Sequence, residues 1–249
     1  MASTIPRRII GVLTPAAHGL MIAGVRIGLK YTSVRLDNGH CGVAWTGPDA
    51  AGCCMQNSEA RPLAGRQSQE LLGMLESSSP LQRTLGLATA NALAAGMPRP
   101  QSTAEDALEL VDIQGSDHVT MVGLFGPLMP ILRRTNCRLD VLELNGRPGT
   151  LAPVDGYAAL KSCSVAIITS TSIVTDTMDD LFSRLGTPRA TILLGPSTFM
   201  RPEVYAGTPV THLAGARIRD VAGVEQIVSE GGGTKILKHH MEFETICLP

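Results

Sequence analysis

The strongest constraint on what this chain can fold into is an alternation in its second half. Four apolar runs, HVTMVGL (118–124), RLDVLEL (138–144), SVAIITS (164–170) and ATILLGP (190–196), each have strand length, and helical stretches near 127–135, 154–162, 175–185 and 201–206 separate them. Near-continuous apolar strands are buried on both faces, so the pattern predicts βα units that build a parallel sheet with helices on its two sides. A further strand is expected in VTHLAGARI (210–218), followed by a helix at 220–229 and the glycine run GGGT (231–234). That run reads either as an anion-binding nest or as a turn before a last strand.

The first half follows another rule. Between Leu20 and Thr46 apolar and polar positions alternate as in strands, and Asp37-Asn38-Gly39 is a hairpin signal. Two helical patterns come next, SQELLGMLES (68–77) and PLQRTLGLATANALAAG (80–96), the second with Gly96 as its C-cap. Strands followed by helices make an α+β unit. The segment MPRPQSTAED (97–106), with two prolines and a helix-start signal, places a boundary that divides the chain into domains 1–100 and 101–249.

Composition narrows the function classes. A formal net charge of −1 supplies no field to attract nucleic acid, and aromatics at 3% of residues leave few stacking platforms. No apolar run approaches the ~20 residues that span a bilayer, and the N-terminal MASTIPRRII lacks a signal-peptide core, so no membrane association and a cytoplasmic location are expected. Six cysteines without framework spacing fit reduced thiols, with Cys137 and Cys163 in the core. Cys41, Cys53 and Cys54 lie near His40 in a Gly-rich region and are either metal ligands or buried thiols, although C-x₁₁-C-C matches no established zinc spacing. His239 and His240 form no i, i+4 metal pair and are expected to be exposed.

In an open parallel sheet, ligands bind beyond the carboxyl ends of the strands, where helix N-termini point free N–H groups. Four strand ends therefore nominate residues. Gly123 and Gly126 allow close backbone approach before a helix entered at Pro127, or simply make a tight turn. Glu143 follows about 20 residues later, where a dinucleotide site places an acid on a ribose; it either takes that role, caps a loop or pairs with Arg147. The hydroxyl-rich TSTSIVTDTMDDL (169–181) nominates Ser170, Thr171 and Thr175 as ligand contacts or helix caps, whereas Asp176, Asp179 and Asp180 suit a helix macrodipole. Gly195, Pro196, Ser197 and Thr198 repeat the arrangement. Ser197 sits in no G-x-S-x-G elbow, which disfavours serine hydrolysis.

Taken in order, VGLFGP (122–127), VLELN (141–145), IITSTSIVTDTMDDLF (167–182), LLGPSTF (193–199), LAGARIRD (213–220) and EGGGT (230–234), with TLGLATANAL (84–93), resemble the heavy-metal chelation family. The likeness runs from about Val25 almost to the C-terminus. It implies an α/β fold, in which a small α+β domain similar to the enolase N-terminal domain precedes a Rossmann-like domain with a mainly parallel sheet, and a site between them. Phe125, Asn145 and, as the resemblance implies, Asn91 join the residues nominated above; Asn91 and Glu143, the only carboxylate placed to act as a base, are the catalytic candidates. The chain departs from many relatives by carrying Thr175-Asp176 where an Asn-Gly pair is expected.

The expected function is an enzyme acting on a small polar molecule in the interdomain cleft. Its ligand would be pterin-, flavin- or metallophore-like, or contain adenosine, with condensation or hydrolysis linked to metal chelation as the implied chemistry. Two alternatives stand beside it, a metal- or metallophore-binding protein and an S-adenosylmethionine-dependent transferase. A homodimer is expected because two-fold assemblies are the commonest.

Overall fold

The hairpin signal at Asp37-Asn38-Gly39 joins β2 (Tyr31–Leu36) to β3 (Cys41–Trp45), and β1 (Ile22–Ile27) pairs with β2 on its other side, giving a three-stranded antiparallel sheet. A computed structural model describes residues 4–47, 62–143 and 146–248. The expected helices follow as α2 (Ser68–Gly73) and α3 (Pro80–Ala95). Pro80 opens α3, and the Ser79 hydroxyl accepts from the Gln82 N–H. Gly96 is the C-cap, but with φ −86° it closes the helix in the right-handed region rather than by a left-handed turn. The helix lies so close on the sheet that a Cβ on Gly42 would stand 2.2 Å from Ala92 N and 2.3 Å from Ala88 O.

The first helix has no counterpart among the sequence expectations. Helix α1 (Ile5–Ala17) buries Ile5, Ile9, Leu13 and Ala17, a four-residue spacing that puts them on one face. Burial of each Ile or Leu is worth roughly 1.5–3 kcal/mol. Pro6 occupies the tolerant first turn and Pro15 the last.

The large sheet has six strands, β4 (His118–Val122), β5 (Arg138–Leu142), β6 (Val165–Thr169), β7 (Ala190–Leu194), β8 (His212–Ile218) and β9 (Met241–Cys247). Their order is β5-β4-β6-β7-β8-β9, parallel throughout except for β9, which runs antiparallel to β8. This is the expected α/β architecture with a mainly parallel sheet. The strands end one or two residues before the apolar runs do, because the chain turns at Gly123, where φ is 86°, and at Gly195, where φ is 123°.

Helices α4 (Ala107–Val111), α5 (Met129–Arg134), α6 (Pro153–Ser162), α7 (Met178–Arg184), α8 (Val221–Ser229) and α9 (Thr234–Leu237) complete the fold. Two helical expectations are corrected. The stretch at 201–206 is a 3-10 turn, Pro202–Tyr205, and α7 begins only at Met178 because Asp176 sits at φ 59°, outside helical geometry. Asp179 lies in the first turn of α7 as its charge suggests, but its carboxylate also accepts the Ile5 N–H of α1 at 3.3 Å.

Alternate residues of the strands serve different cores. Val122, Ala166, Ile168 and Leu193 pack in one apolar cluster with Ile9, Leu87 and Leu93, so this cluster draws on both halves of the chain. Val119, Met121, Val165, Ile167 and Ile192 face the other side, with Ala107, Leu108 and Val111. Both faces of the sheet are thus covered, as parallel strands require. A third cluster joins Tyr31 and Val43 of the small sheet to Val224 and Val228 of α8.

Candidate functional site

The strand order reverses at β4: the chain pairs β5 on one side of it and then returns past it to β6. Loops leaving β4 and β6 therefore diverge, which opens a crevice at the carboxyl ends of the strands. A cavity of about 460 Å³ lies there, within the range of small-molecule sites. Its wall includes Leu124, Phe125 and Gly126 after β4, Thr169 and Thr171 at β6, and Gly195, Pro196 and Ser197 after β7. Tyr31 of the small sheet closes it from the other half of the chain, with its hydroxyl hydrogen-bonded to Thr234 Oγ1 at 2.7 Å.

Of the residues nominated from sequence, Phe125, Gly126, Thr171, Gly195, Pro196 and Ser197 reach this wall. Others stand behind it. Gly123 shapes the turn, and a Cβ there would lie 3.0 Å from the Thr169 side chain, so only glycine suits both the positive φ and the close approach. Glu143 is half-buried and accepts the Leu124 N–H at 3.1 Å, which ties the end of β5 to the turn after β4. Arg147 is not its partner among the described residues. Ser170 is fully buried and shares a 2.7 Å hydrogen bond with Thr198 Oγ1, which itself donates to Gly195 O at 2.7 Å.

Thr175 is exposed, bonded to Thr177 Oγ1 at 2.9 Å, and absent from the wall. Asn91 lies in a second cavity of about 160 Å³, where its Nδ2 donates to Val43 O at 2.9 Å and to Ser197 O at 3.3 Å. The Ser197 hydroxyl accepts the Trp45 N–H at 2.8 Å. Asn145 lies outside the described residues.

Several wall residues escaped the sequence reading. Tyr31, Asp106, Thr234, Phe243, Glu244 and Thr245 all line the larger cavity. Asp106 could have been found as the N-cap of α4, where its Oδ1 accepts the Leu108 N–H at 2.8 Å. Thr234 follows the glycine run. Phe243 and Thr245 had no local signal, because only the pairing of β9 with β8 brings them to the site. Tyr31, Phe125 and Phe243 place aromatic rings in one cavity of a chain with few of them.

Electrostatics distinguish the two cavities. The larger one has Glu105, Asp106 and Glu244 in its wall and, among the described residues, no Lys, Arg or His. Its glycine turn is a poor anion cradle too: the Leu124 N–H goes to Glu143, the Leu128 N–H goes to Phe125 O, and Pro127 has none.

Among the described residues no three His, Cys, Asp or Glu side chains converge, and burial pushes the Cys41 thiol up to about 12. Cys53 and Cys54 lie outside the described residues. His240, expected to be exposed, is half-buried, and its Nδ1 lies 2.9 Å from Asp220 Oδ2, beside the cap of α8. No described helix is long and apolar enough to cross a membrane.

Comparison with known proteins adds the following. Two family models, both described as "Putative heavy-metal chelation", match residues 106–247 and 10–94. An uncharacterized protein of Methanocaldococcus jannaschii is 27% identical over 160 residues, 61% of this chain, and the match spans only 61% of that relative's length. A crystal structure of a protein of unknown function from Pyrococcus horikoshii superposes with a TM-score of 0.86 at 23% identity, covering 98% of this chain and 100% of the other. Another, from Desulfitobacterium hafniense DCB-2, gives 0.74 at 22% identity and covers 96% and 98%. At such identities the two structures speak to the fold.

Proposed function

The chain belongs to the family described as "Putative heavy-metal chelation", and from that premise we propose that it is an enzyme whose larger cavity takes a small, ring-bearing organic molecule rich in N–H or amino groups. Pterin-, flavin- and metallophore-precursor-like compounds are of this class. The observation that carries the reading is the composition of one wall: aromatic Tyr31, Phe125 and Phe243 with the carboxylates of Glu105, Asp106 and Glu244. Aromatic side chains stack on planar rings, and carboxylates accept hydrogen bonds from ring N–H and amino groups. Thr171 and Thr169, linked by a 3.0 Å hydrogen bond, add hydroxyls at the switch point between β4 and β6.

In this reading Glu143 and Asn91 are positioning residues. Glu143 fixes the Leu124–Phe125 turn, and Asn91 fixes the loop carrying Pro196 and Ser197. Division at about residue 100 into two domains, a cytoplasmic location and a homodimer belong to the same proposal; light scattering tests the last.

The test is a thermal-shift panel of pterins, flavins, nucleosides and amino-acid-derived chelators on the purified chain, with mass spectrometry of any co-purified molecule. Phe125→Ala and Phe243→Ala are expected to lose at least tenfold in affinity for the best ligand. Equal binding by both variants and wild type rejects the ring site.

A second reading, an S-adenosylmethionine-dependent transferase, draws on Glu143 at the end of β5 beside the glycine turn. Calorimetry with that cofactor decides it, and absence of binding removes it. The metal-binding alternative rests on His40, Cys41, Cys53 and Cys54, and elemental analysis of protein purified without chelator tests it.

A further inference from the structure

We propose that the smaller cavity binds a small oxyanion, a single carboxylate or phosphate group, through Arg99, Arg201 and Arg217. The site stands apart from the ring site in the larger cavity and does not depend on it, although Pro196 and Glu244 belong to both walls.

Segments distant in sequence bring three arginines to the wall of one hollow of about 160 Å³: Arg99 beyond the end of α3, Arg201 in the loop after β7 and Arg217 on β8. Like charges gather at a cost, so each is balanced. Arg99 Nη2 donates to Glu244 Oε2 at 3.0 Å, Arg201 donates to Glu203 Oε1 through Nε and Nη2 at 2.8 and 2.6 Å, and Arg217 Nη2 pairs with Glu242, which Arg219 shares. Arg201 Nη1 also donates to Pro98 O at 2.7 Å.

These contacts leave donors over. A guanidinium offers five N–H groups, about fifteen for three, whereas the bonds just named use five. Arg217 Nε is buried and has no hydrogen-bond partner among the described residues. In this arrangement Nε is sealed off, so an incoming anion would meet the Nη donors first. The three arginines are matched by the carboxylates of Glu203, Glu242 and Glu244, and the one positive charge in excess is that of Arg219, which shares Glu242 from outside the wall.

Recognition therefore rests on directed donors more than on field, the geometry in which arginine forks accept oxyanions. Glu244, on the partition, is the group that opposes an anion. At about 30 Å³ per water, the hollow holds about five waters, which is room for one oxyanion head group and some water beside it.

The experiment is isothermal titration of the full chain with inorganic phosphate and, separately, with acetate at constant ionic strength. Saturable millimolar binding of at least one is expected, and which one binds identifies the head group. Arg217→Met and Arg99→Met should each weaken it at least tenfold, Arg217→Lys less, and Glu244→Gln should tighten it severalfold. Arg99 is 58% exposed, so its variant keeps the question open should Arg217→Met misfold. Arg138→Met removes the same charge from an exposed position on β5 and should change nothing. No saturable binding of either anion, or equal loss in Arg138→Met and Arg99→Met, overturns the proposal. Because no ring ligand is used, either result leaves the larger cavity's reading where it was.

Discussion

Asn91 Nδ2, on α3, donates to the Ser197 carbonyl at 3.3 Å, and one carboxamide thereby joins the small-sheet half of the chain to the loop after β7. The same nitrogen donates to Val43 O at 2.9 Å, and Ser197 Oγ takes the Trp45 N–H at 2.8 Å. Three hydrogen bonds thus hold one wall of the larger cavity and the partition behind it.

Asn91→Ala is expected to destabilise the protein by about 1–3 kcal/mol, since it leaves part-buried carbonyls without their donor. Urea denaturation measures it. A change below about 0.5 kcal/mol, the range of ordinary surface substitutions, would show that water replaces the amide freely.

Glu143→Gln and Glu143→Ala separate a positioning role from a chemical one. Gln keeps an acceptor for the Leu124 N–H, so ring-ligand affinity is expected to survive, whereas Ala frees the turn and should weaken binding about tenfold, or ~1.4 kcal/mol. Binding by the Ala variant as tight as wild type sinks the positioning role.

Thiol chemistry reports burial directly. With its thiol pushed up to about 12 by desolvation, Cys41 should resist iodoacetamide in the native protein at pH 8, while the exposed Cys247 is modified. Peptide mapping reads both sites. Comparable labelling of the two would mean that the small sheet opens readily.

Acid stability has one clear contributor at the far end of the large sheet. Hydrogen bonds from Arg189 hold the Asp117 carboxyl well below the usual carboxylate range, despite burial acting the other way. The folded-state value lies below the unfolded one, about 3.9. The contribution is therefore complete above pH 4 and is lost as pH falls through the folded value. Asp117→Asn should lower stability at pH 7 and flatten its decline between about pH 4 and 2. Parallel curves for variant and wild type would assign acid sensitivity elsewhere. Arg189 is 43% exposed, so the effect should shrink in high salt.

Much of the fold was legible because its signals are local. Four apolar runs alternating with helices announce a parallel sheet, and Asp37-Asn38-Gly39 announces the hairpin, without reference to any distant residue. Helix α1 shows the limit of that reading: its Ile5-Ile9-Leu13 spacing is helical, but only its packing against the core shows which face is buried. Site residues on the strand-end loops were legible as a set. Their individual duties were not. Ser170 and Ser197 are both hydroxyls after a strand, yet Ser170 is spent on Thr198 whereas Ser197 reaches the cavity wall as well as Trp45.

By itself, the amino-acid order determined most of the elements, the mainly parallel sheet and the end of that sheet where a ligand would sit, since periodicity and turn chemistry act over a few neighbouring residues. Tertiary structure alone decided which side chains meet there. Phe243 reaches the cavity because β9 runs back along β8, Tyr31 because the small sheet closes over the crevice, and Arg99, Arg201 and Arg217 share a hollow because three remote segments converge. Such proximity depends on chain packing through space, for which no spacing along the sequence is a substitute.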